Sequence, residues 1–305
     1  MIDYYKRNGK EGSVVKLKSL APNSWVKVVN PDEKDIDFLI RNLGLDKNLV
    51  MDALDLYENP RVEEENGDIY IFLRAPTSVV HNESTSSFLL VVSKNHVITI
   101  SKEDLEIFEK VTISQNFTTS KQSRFVMHVL FYVSRSFNFE VRKILKDVKS
   151  EKKNLLGLRE KDILGLVSQE DTLNDYLSSF APLIDMHNKI LKIKSLRFGE
   201  SEKDFIEDLI VDLNQTFNTC KSVLKTISNM REYYSVALSN KINKVITVLT
   251  IFTVFLTIPT LISSIYGMNI SLPFQNSSII FWFLGGIVLL VWAVLFALFR
   301  RNRIF

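Results

Sequence analysis

One cysteine, Cys220, stands in 305 residues. A lone thiol excludes a disulfide within the chain and fits a reducing compartment. Gly-rich phosphate loops, clusters of Cys and His at metal-ligand spacing, and a recognisable nucleophile motif are all missing. Those absences remove the parts on which enzyme readings rest, and no enzymatic activity is expected. Met1–Gly12 is polar, so no signal segment is expected and the head should not be exported. The most consequential absence is charge. No Asp, Glu, Lys or Arg occurs from Val245 to Phe299, and all 35 acidic residues precede Val245. Beyond that run only Arg300, Arg301 and Arg303 are charged, and they account for the whole formal excess of +3. The basic pI therefore reports a collar at a membrane, not an affinity for nucleic acid.

The uncharged run holds two apolar segments, Val245–Ile265 and Ile279–Phe299, joined by the short polar stretch Gly267–Ser278. Each is about 20 residues, the length a helix needs to cross a ~30 Å hydrocarbon core. Lys241 and Lys244 precede the first segment, the three arginines follow the second, and the loop between carries no charge. The positive-inside rule then predicts a hairpin of two spans with both termini cytoplasmic and the loop outside. The expected organisation is a cytoplasmic α/β domain over 1–120, then long helices and a stalk over 121–241. A first span over 242–265, an external loop over 266–278, a second span over 279–299 and a basic tail over 300–305 complete it. The fold class expected is thus an α+β cytoplasmic domain, long stalk helices and two C-terminal transmembrane helices.

Within the head, Ser13–Leu20 and Trp25–Val29 alternate like strands, and Pro31-Asp32 opens a helical pattern running to Leu43. A short helix is predicted over Asn48–Leu56. Val62–Glu65 and Asp68–Arg74 flank Asn66-Gly67, a pair that tolerates the positive φ of a type I′ hairpin turn. Phe88–Val92 and His96–Ser101 make a second hairpin around Lys94-Asn95. From Ser123 onward the pattern is helical, with long amphipathic stretches over Ser123–Leu158 and Glu160–Ile193. The next helix carries a heptad: Ile206, Leu213, Cys220, Ile227 and Tyr234 recur every seven residues, and Ile210, Phe217, Leu224 and Leu238 supply a second seam position. Such a seam marks helices packed side by side, either with other copies or within the chain. No Pro or Gly separates the seam from the first apolar segment, so one helix is expected from near Lys203 to Ser264, about 90 Å at 1.5 Å per residue.

Polar residues in the first apolar segment are not scattered. Asn243, Thr247, Thr250, Thr253, Thr257, Thr260 and Ser264 follow steps of three or four and share one broad face, while Val248, Phe252, Phe255 and Ile262 occupy the other side. Two readings fit: helix–helix packing through small residues, or a pore lined by neutral oxygens, which requires a ring of subunits. Pro259 is a candidate bend near the outer end. The second segment, with Trp282, Trp292 and Gly285-Gly286, reads as lipid-facing.

Two terminal spans, a long helix feeding the first, Tyr266-Gly267-Met268-Asn269 at its outer end and a basic tail together resemble the CorA-type magnesium transporters. The resemblance implies a funnel-shaped homopentamer with a central pore lined by the first span. It places Asn269 in the entrance ring that meets hydrated Mg²⁺, beside Tyr266, Gly267 and Met268. It assigns Asn243, Leu249, Thr253, Thr257, Thr260 and Ser264 to the pore, with Asn243 as an inner polar ring and Leu249 in a hydrophobic constriction. Mg²⁺ sheds water reluctantly and prefers oxygen ligands, so a ring of amide carbonyls can accept hydrogen bonds from its water shell. Carboxylates there would hold the ion too tightly to release it. The implied partners are Mg²⁺, transported and regulatory, with Co²⁺ or Ni²⁺ as further cargo, and membrane lipid.

This chain departs from the family pattern in its external loop, where relatives often carry an acid and Ile270–Asn276 carries none. Weaker electrostatic attraction and a shallower dependence of uptake on ionic strength follow. The family's regulatory Mg²⁺ sites pair a stalk acid with acids of a neighbouring head. Asp208 matches the stalk position, with Glu207 and Asp212 beside it and Glu83 as the candidate on the head. The alternative is that Glu202, Asp204, Glu207, Asp208 and Asp212 form a solvated helix face. Competing functions are a Zn²⁺, Co²⁺ or Ni²⁺ transporter of the same architecture and a membrane-anchored sensor that conducts nothing. Soft-metal handling favours His or Cys near the path; His81, His96, His128, His187 and Cys220 all precede the spans. Asn269-Ile270-Ser271 is also a formal glycosylation triplet, one that transport through an Asn269 ring would exclude.

Overall fold

The computed structural model describes residues 1–7, 14–80, 83–113, 118–153, 159–270, 272–273 and 277–301. The chain divides into two compact units, Met1–Met230 and Arg231–Phe305.

The first unit is built on a seven-stranded sheet of β1 (Ile2–Lys6), β2 (Val15–Leu17), β3 (Ser24–Val29), β4 (Arg61–Glu65), β5 (Asp68–Val80), β6 (Glu83–Val92) and β7 (His96–Ser101). Their order across the sheet is β2-β1-β3-β7-β6-β5-β4. Only β3 and β7 pair in parallel; the remaining neighbours are antiparallel. The central strands hold continuous apolar runs, Ile69–Leu73 and Phe88–Val92, because both faces of the sheet are covered there. One face sends Trp25, Ile71, Leu73, Phe88 and Leu90 into a core completed by α3 (Glu106–Ile113), α4 (Gln122–Lys152) and α5 (Glu160–Ile190). The other sends Val26, Tyr70, Phe72, Leu89 and Ile98 against Leu39 of α1 (Glu33–Arg41) and Val50 of α2 (Lys47–Asp52).

Local chemistry sets the boundaries. Asp32 accepts the Asp35 amide at 2.8 Å in a reciprocal capping box that opens α1. Asp46 does the same for α2 by accepting the amides of Asn48 and Leu49. Asn66 and Gly67 both have positive φ, 54° and 87°, and close the β4–β5 hairpin. Buried Trp25 donates its indole N–H to Thr99 Oγ1 at 2.9 Å and lies against Tyr5, Phe108 and Phe125.

Three features depart from expectation. Ile2–Lys6 forms a strand inside the segment read only as polar, using partly buried side chains paired with β3. Strands β5 and β6, expected over Asp68–Arg74 and Phe88–Val92 in two separate hairpins, run past those bounds and pair with each other through Arg74↔Ser87, Ala75↔Ser86 and Pro76↔Thr85. Arg74 compensates the polar content there, its guanidinium donating to Thr85 Oγ1 at 2.7 Å. Helix α4 ends at Lys152, and 154–158 of its predicted extension lie outside the described residues.

Helix α6 runs Glu200–Tyr266, 67 residues, and contributes to both units. In the first unit its heptad is used within the chain. Ile206, Leu213, Cys220 and Ile227 are buried, and so are Leu209, Thr216, Val223 and Met230, each three residues beyond a register position. Phe131 meets Phe205 at 5.8 Å, Phe180 meets Phe217 at 6.0 Å, and Asn138 donates to Thr216 Oγ1 at 2.8 Å. Cys220 donates its thiol to the carbonyl of Leu173 at 3.3 Å, and burial pushes its pKa up to about 12.

Glu202 is not part of a solvated face. It is buried, and its carboxylate accepts Lys121 Nζ at 2.6 Å, the Gly199 amide at 3.1 Å, Ser123 Oγ at 3.3 Å and Arg124 Nε at 3.4 Å. It therefore fastens the start of α4 to the start of α6. Burial alone would raise its pKa, but the bonds from Lys121, Gly199 and Arg124 outweigh burial and the net shift is downward. A depressed carboxylate contributes stability fully above its unfolded pKa, near 4.5, and loses it as pH falls through the lower folded value. Glu202→Gln should cost about 1–3 kcal/mol at neutral pH. Heat unfolding of the detergent-solubilised chain should show the two proteins converging as pH drops below 4.5.

Candidate functional site

The second unit consists of the rest of α6, the turn that follows it, and α7 (Ser278–Arg301). By length and composition, α6 and Ile279–Phe299 of α7 can each cross a membrane, and almost none of their apolar stretch is buried within the chain. A core helix of a soluble protein would show the reverse.

The threonine stripe has a specific hydrogen-bond state. Thr247, Thr250, Thr253, Thr257 and Thr260 donate their hydroxyls to the carbonyls of Asn243, Ile246, Leu249, Thr253 and Leu256, each four residues back and at 2.8–2.9 Å. With its proton committed to the backbone, each Oγ1 keeps acceptor lone pairs toward the outside of the helix. The stripe is therefore a column of neutral acceptors. Asn243, Leu249, Thr253, Thr257, Thr260 and Ser264 are all exposed on the isolated chain.

At Tyr266 the helix ends. The Gly267 amide donates to Ser263 O at 2.9 Å and the Met268 amide to Ile265 O at 3.3 Å, so the last turn is closed by the motif itself. A Cβ on Gly267 would lie 3.0 Å from the Ser263 carbonyl oxygen. Any side chain there would press on that carbonyl, a contact glycine avoids. Met268 and Asn269 project from the turn, Met268 being 51% exposed.

On the far side of α6, Trp292 of α7 donates its indole N–H to the Phe255 carbonyl at 3.0 Å. In the second segment, expected to face lipid, Trp282 is 78% exposed, whereas Trp292 is half-buried against α6.

The acids are arranged differently. Glu207, Asp208 and Asp212 are exposed on the first-unit part of α6. Asp212 lines a groove of about 570 Å³ with Asn138, Arg135, Arg142 and Lys146 of α4. The side chain of Glu83 lies outside the described residues, as do His81 and Ser271. Among the described residues, no three His, Cys, Asp or Glu side chains are gathered where they could share a metal ion. His187 is buried with Nδ1 2.7 Å from the Leu183 carbonyl, and burial pushes its pKa down to about 4, so it is neutral at physiological pH.

A family model described as CorA-like Mg²⁺ transporter protein matches residues 21–301, a range that includes strands β3 to β7, α6, the motif and α7. The chain belongs to the CorA family. The cobalt/magnesium transport protein CorA of Methanocaldococcus jannaschii is 22% identical over 96% of each chain. The complete structure of the CorA magnesium transporter from that organism superposes with a TM-score of 0.82 at 19% identity, covering 99% of this chain and 98% of that one. Full-length CmaX gives 0.76 at 16% identity, covering 96% and 97%. The ZntB cytoplasmic domain from Vibrio parahaemolyticus gives 0.64 at 10% identity, covering 78% and 98%. At these identities the superpositions establish the shared fold, a sheet domain followed by long helices and two apolar C-terminal helices.

In this family member, sequence reasoning missed Glu202 and Trp292. Glu202 follows Gly199, a position suited to capping, and its three-residue spacing from that glycine was the available signal. Trp292 was detectable only by noticing that Pro259 leaves one carbonyl without a donor. The tight packing at Gly267 is directly testable. Gly267→Ala should cost about 1–3 kcal/mol, seen as earlier heat unfolding. Gly286→Ala, where nothing lies within 4 Å of the added carbon, should not lower stability.

Proposed function

We propose that the chain assembles as a funnel-shaped homopentamer in the cell membrane, with both termini cytoplasmic, and conducts Mg²⁺ inward through a pore lined by α6. The observation that carries this reading is the column of back-bonded threonines leading to Tyr266–Asn269 along a stretch without a single charged side chain. Neutral acceptors suit a hydrated divalent cation, because they bond its water without binding the ion tightly enough to trap it. Asn269 forms the entrance ring with Tyr266, Gly267 and Met268 supporting it. Thr260, Thr257 and Thr253 continue the path, with Ser264 at its outer end. Leu249 narrows it, and Asn243 forms the inner ring. A single α6 cannot enclose a path, so the reading requires several copies around one axis.

Regulation follows from the same assembly. Asp208, with Glu207 and Asp212 beside it, binds Mg²⁺ together with acids of an adjacent head, Glu83 being the candidate. Exposure of all three α6 acids supports a role toward a second copy. Bound Mg²⁺ neutralises their mutual repulsion and favours the closed ring, and falling cytosolic Mg²⁺ releases it, which requires tighter binding by the closed state. Co²⁺ is a second cargo on the strength of the relative named as a cobalt/magnesium transport protein.

Proteoliposomes containing an internal Mg²⁺ indicator test conduction. The initial rate for Asn269→Ala should fall roughly tenfold or more, ~1.4 kcal/mol of barrier. A correctly assembled wild-type protein that moves no Mg²⁺ sinks the reading, and Co²⁺ and Zn²⁺ are then tried. Limited proteolysis tests regulation: Mg²⁺ should protect the wild-type head, and Asp208→Ala should need more Mg²⁺ for equal protection. Unchanged protection removes Asp208 from the mechanism.

A further inference from the structure

Pro259 has no amide proton, so the helical bond from residue 259 to the carbonyl of Phe255 cannot form. In α6 this gap falls within the charge-free run, where lipid offers a free carbonyl no replacement donor. The nearest threonines cannot fill it, since Thr257 donates to Thr253 O and Thr260 to Leu256 O. An apolar cavity of about 340 Å³ lies alongside, lined by Val248, Ile251, Phe252, Phe255, Leu256 and Trp292. Of these side chains only Trp292 carries a donor. Its indole N–H reaches Phe255 O at 3.0 Å, and its ring lies 5.8 Å from the Phe255 ring at 45°. Phe299 approaches Phe255 from the same helix, with ring centroids 6.4 Å apart.

We infer that Trp292 is a positioning residue for the conducting helix: its indole N–H takes the place of the donor that Pro259 lacks, and so fixes the segment from Phe255 to Tyr266. That segment carries Thr257, Thr260 and Ser264 up to the motif. At 100° per residue, Phe255 lies about 160° around the helix from Thr253 and Thr257, so α7 acts from the side opposite the stripe. Helices bend most readily where a proline has freed a carbonyl. A donor placed on a second helix turns that weak point into a joint governed by α7. The consequence for transport rests on the proposed pore, whereas the bond itself does not.

The test is a double-mutant cycle on the full chain, combining Trp292→Phe with Pro259→Ala. Phenylalanine keeps an aromatic ring and removes the donor. Alanine at 259 restores the helix's own amide and makes the indole redundant. In Mg²⁺-loaded uptake assays, Trp292→Phe should slow the initial rate several-fold in the Pro259 background and change it little in the Pro259→Ala background. An equal loss in both backgrounds, or no loss in either, overturns the inference, because the ring would then act by packing alone or not at all. The same cycle is read on the heat-unfolding midpoint in detergent, which needs no transport. If the wild-type protein conducts no Mg²⁺, the pore reading fails by itself and the midpoint cycle still decides the Trp292 bond. If Trp292→Phe alone does not assemble, recovery of assembly by adding Pro259→Ala supports the inference, and failure of both proteins overturns it.

Discussion

Hydrogen bonding without water is the constraint on which the C-terminal part of this protein depends. Every backbone carbonyl from Val245 to Tyr266 must find its donor inside the protein. The helix meets most of that demand through its own ladder, and the threonines add a second bond at five carbonyls. This arrangement gives the surface of α6 its chemical sign. Hydroxyl protons point inward to the backbone and oxygen lone pairs remain outside, so the charge-free stretch of α6 from Val245 still presents a directional face of acceptors. The interior carbonyl that Pro259 leaves without a helical donor, that of Phe255, recruits the second apolar helix instead. Surface chemistry and helix pairing thus have one cause.

In the first unit the demand is reversed. Water is close, charge is plentiful, and the difficulty is to cover both faces of a twisted sheet. Helices α1 and α2 cover one face with Leu39 and Val50, while α3, α4 and α5 cover the other. Helix α6 belongs to both regimes. Up to Met230 its heptad positions are buried against its own chain, and beyond that Tyr234 is half-exposed and Leu238 is 45% exposed. One periodic pattern in sequence therefore serves two purposes, and its change of role falls where the compact first unit ends.

Much of this was legible beforehand. The Asn66-Gly67 turn was readable because its backbone requires positive φ, and Pro31-Asp32 because it carries a helix start and cap. The two apolar helices were readable because length and absence of charge leave few other uses. Strand β1 was not, since Ile2-Asp3-Tyr4-Tyr5-Lys6 is short and its apolar positions depend on pairing with β3. The extension of β5 and β6 past Arg74 was hidden because Pro76 and the run Ser84-Thr85-Ser86-Ser87 carry no apolar alternation, whereas Arg74 donates to Thr85 Oγ1 across the hairpin. Glu202 looked like one acid among several on a helix; its burial depends on Lys121 and Arg124, about eighty positions earlier in the chain. The stripe could be seen in the sequence, but the direction in which its hydroxyls donate could not.

Cys220 bears on how this protein can be studied. It is the only thiol in the chain, it is fully buried, and a pKa near 12 keeps it protonated at any pH used for labelling. Thiolate is the reactive form, so the native protein should react only slowly with maleimides and methanethiosulfonates. Cysteines introduced singly along Asn243–Asn269 can then be read against the natural background, without first engineering a cysteine-free parent. A residue that forms part of the core packing of α6 against α5 thereby leaves the whole length of the apolar helix open to accessibility mapping, spin labelling and cross-linking between copies.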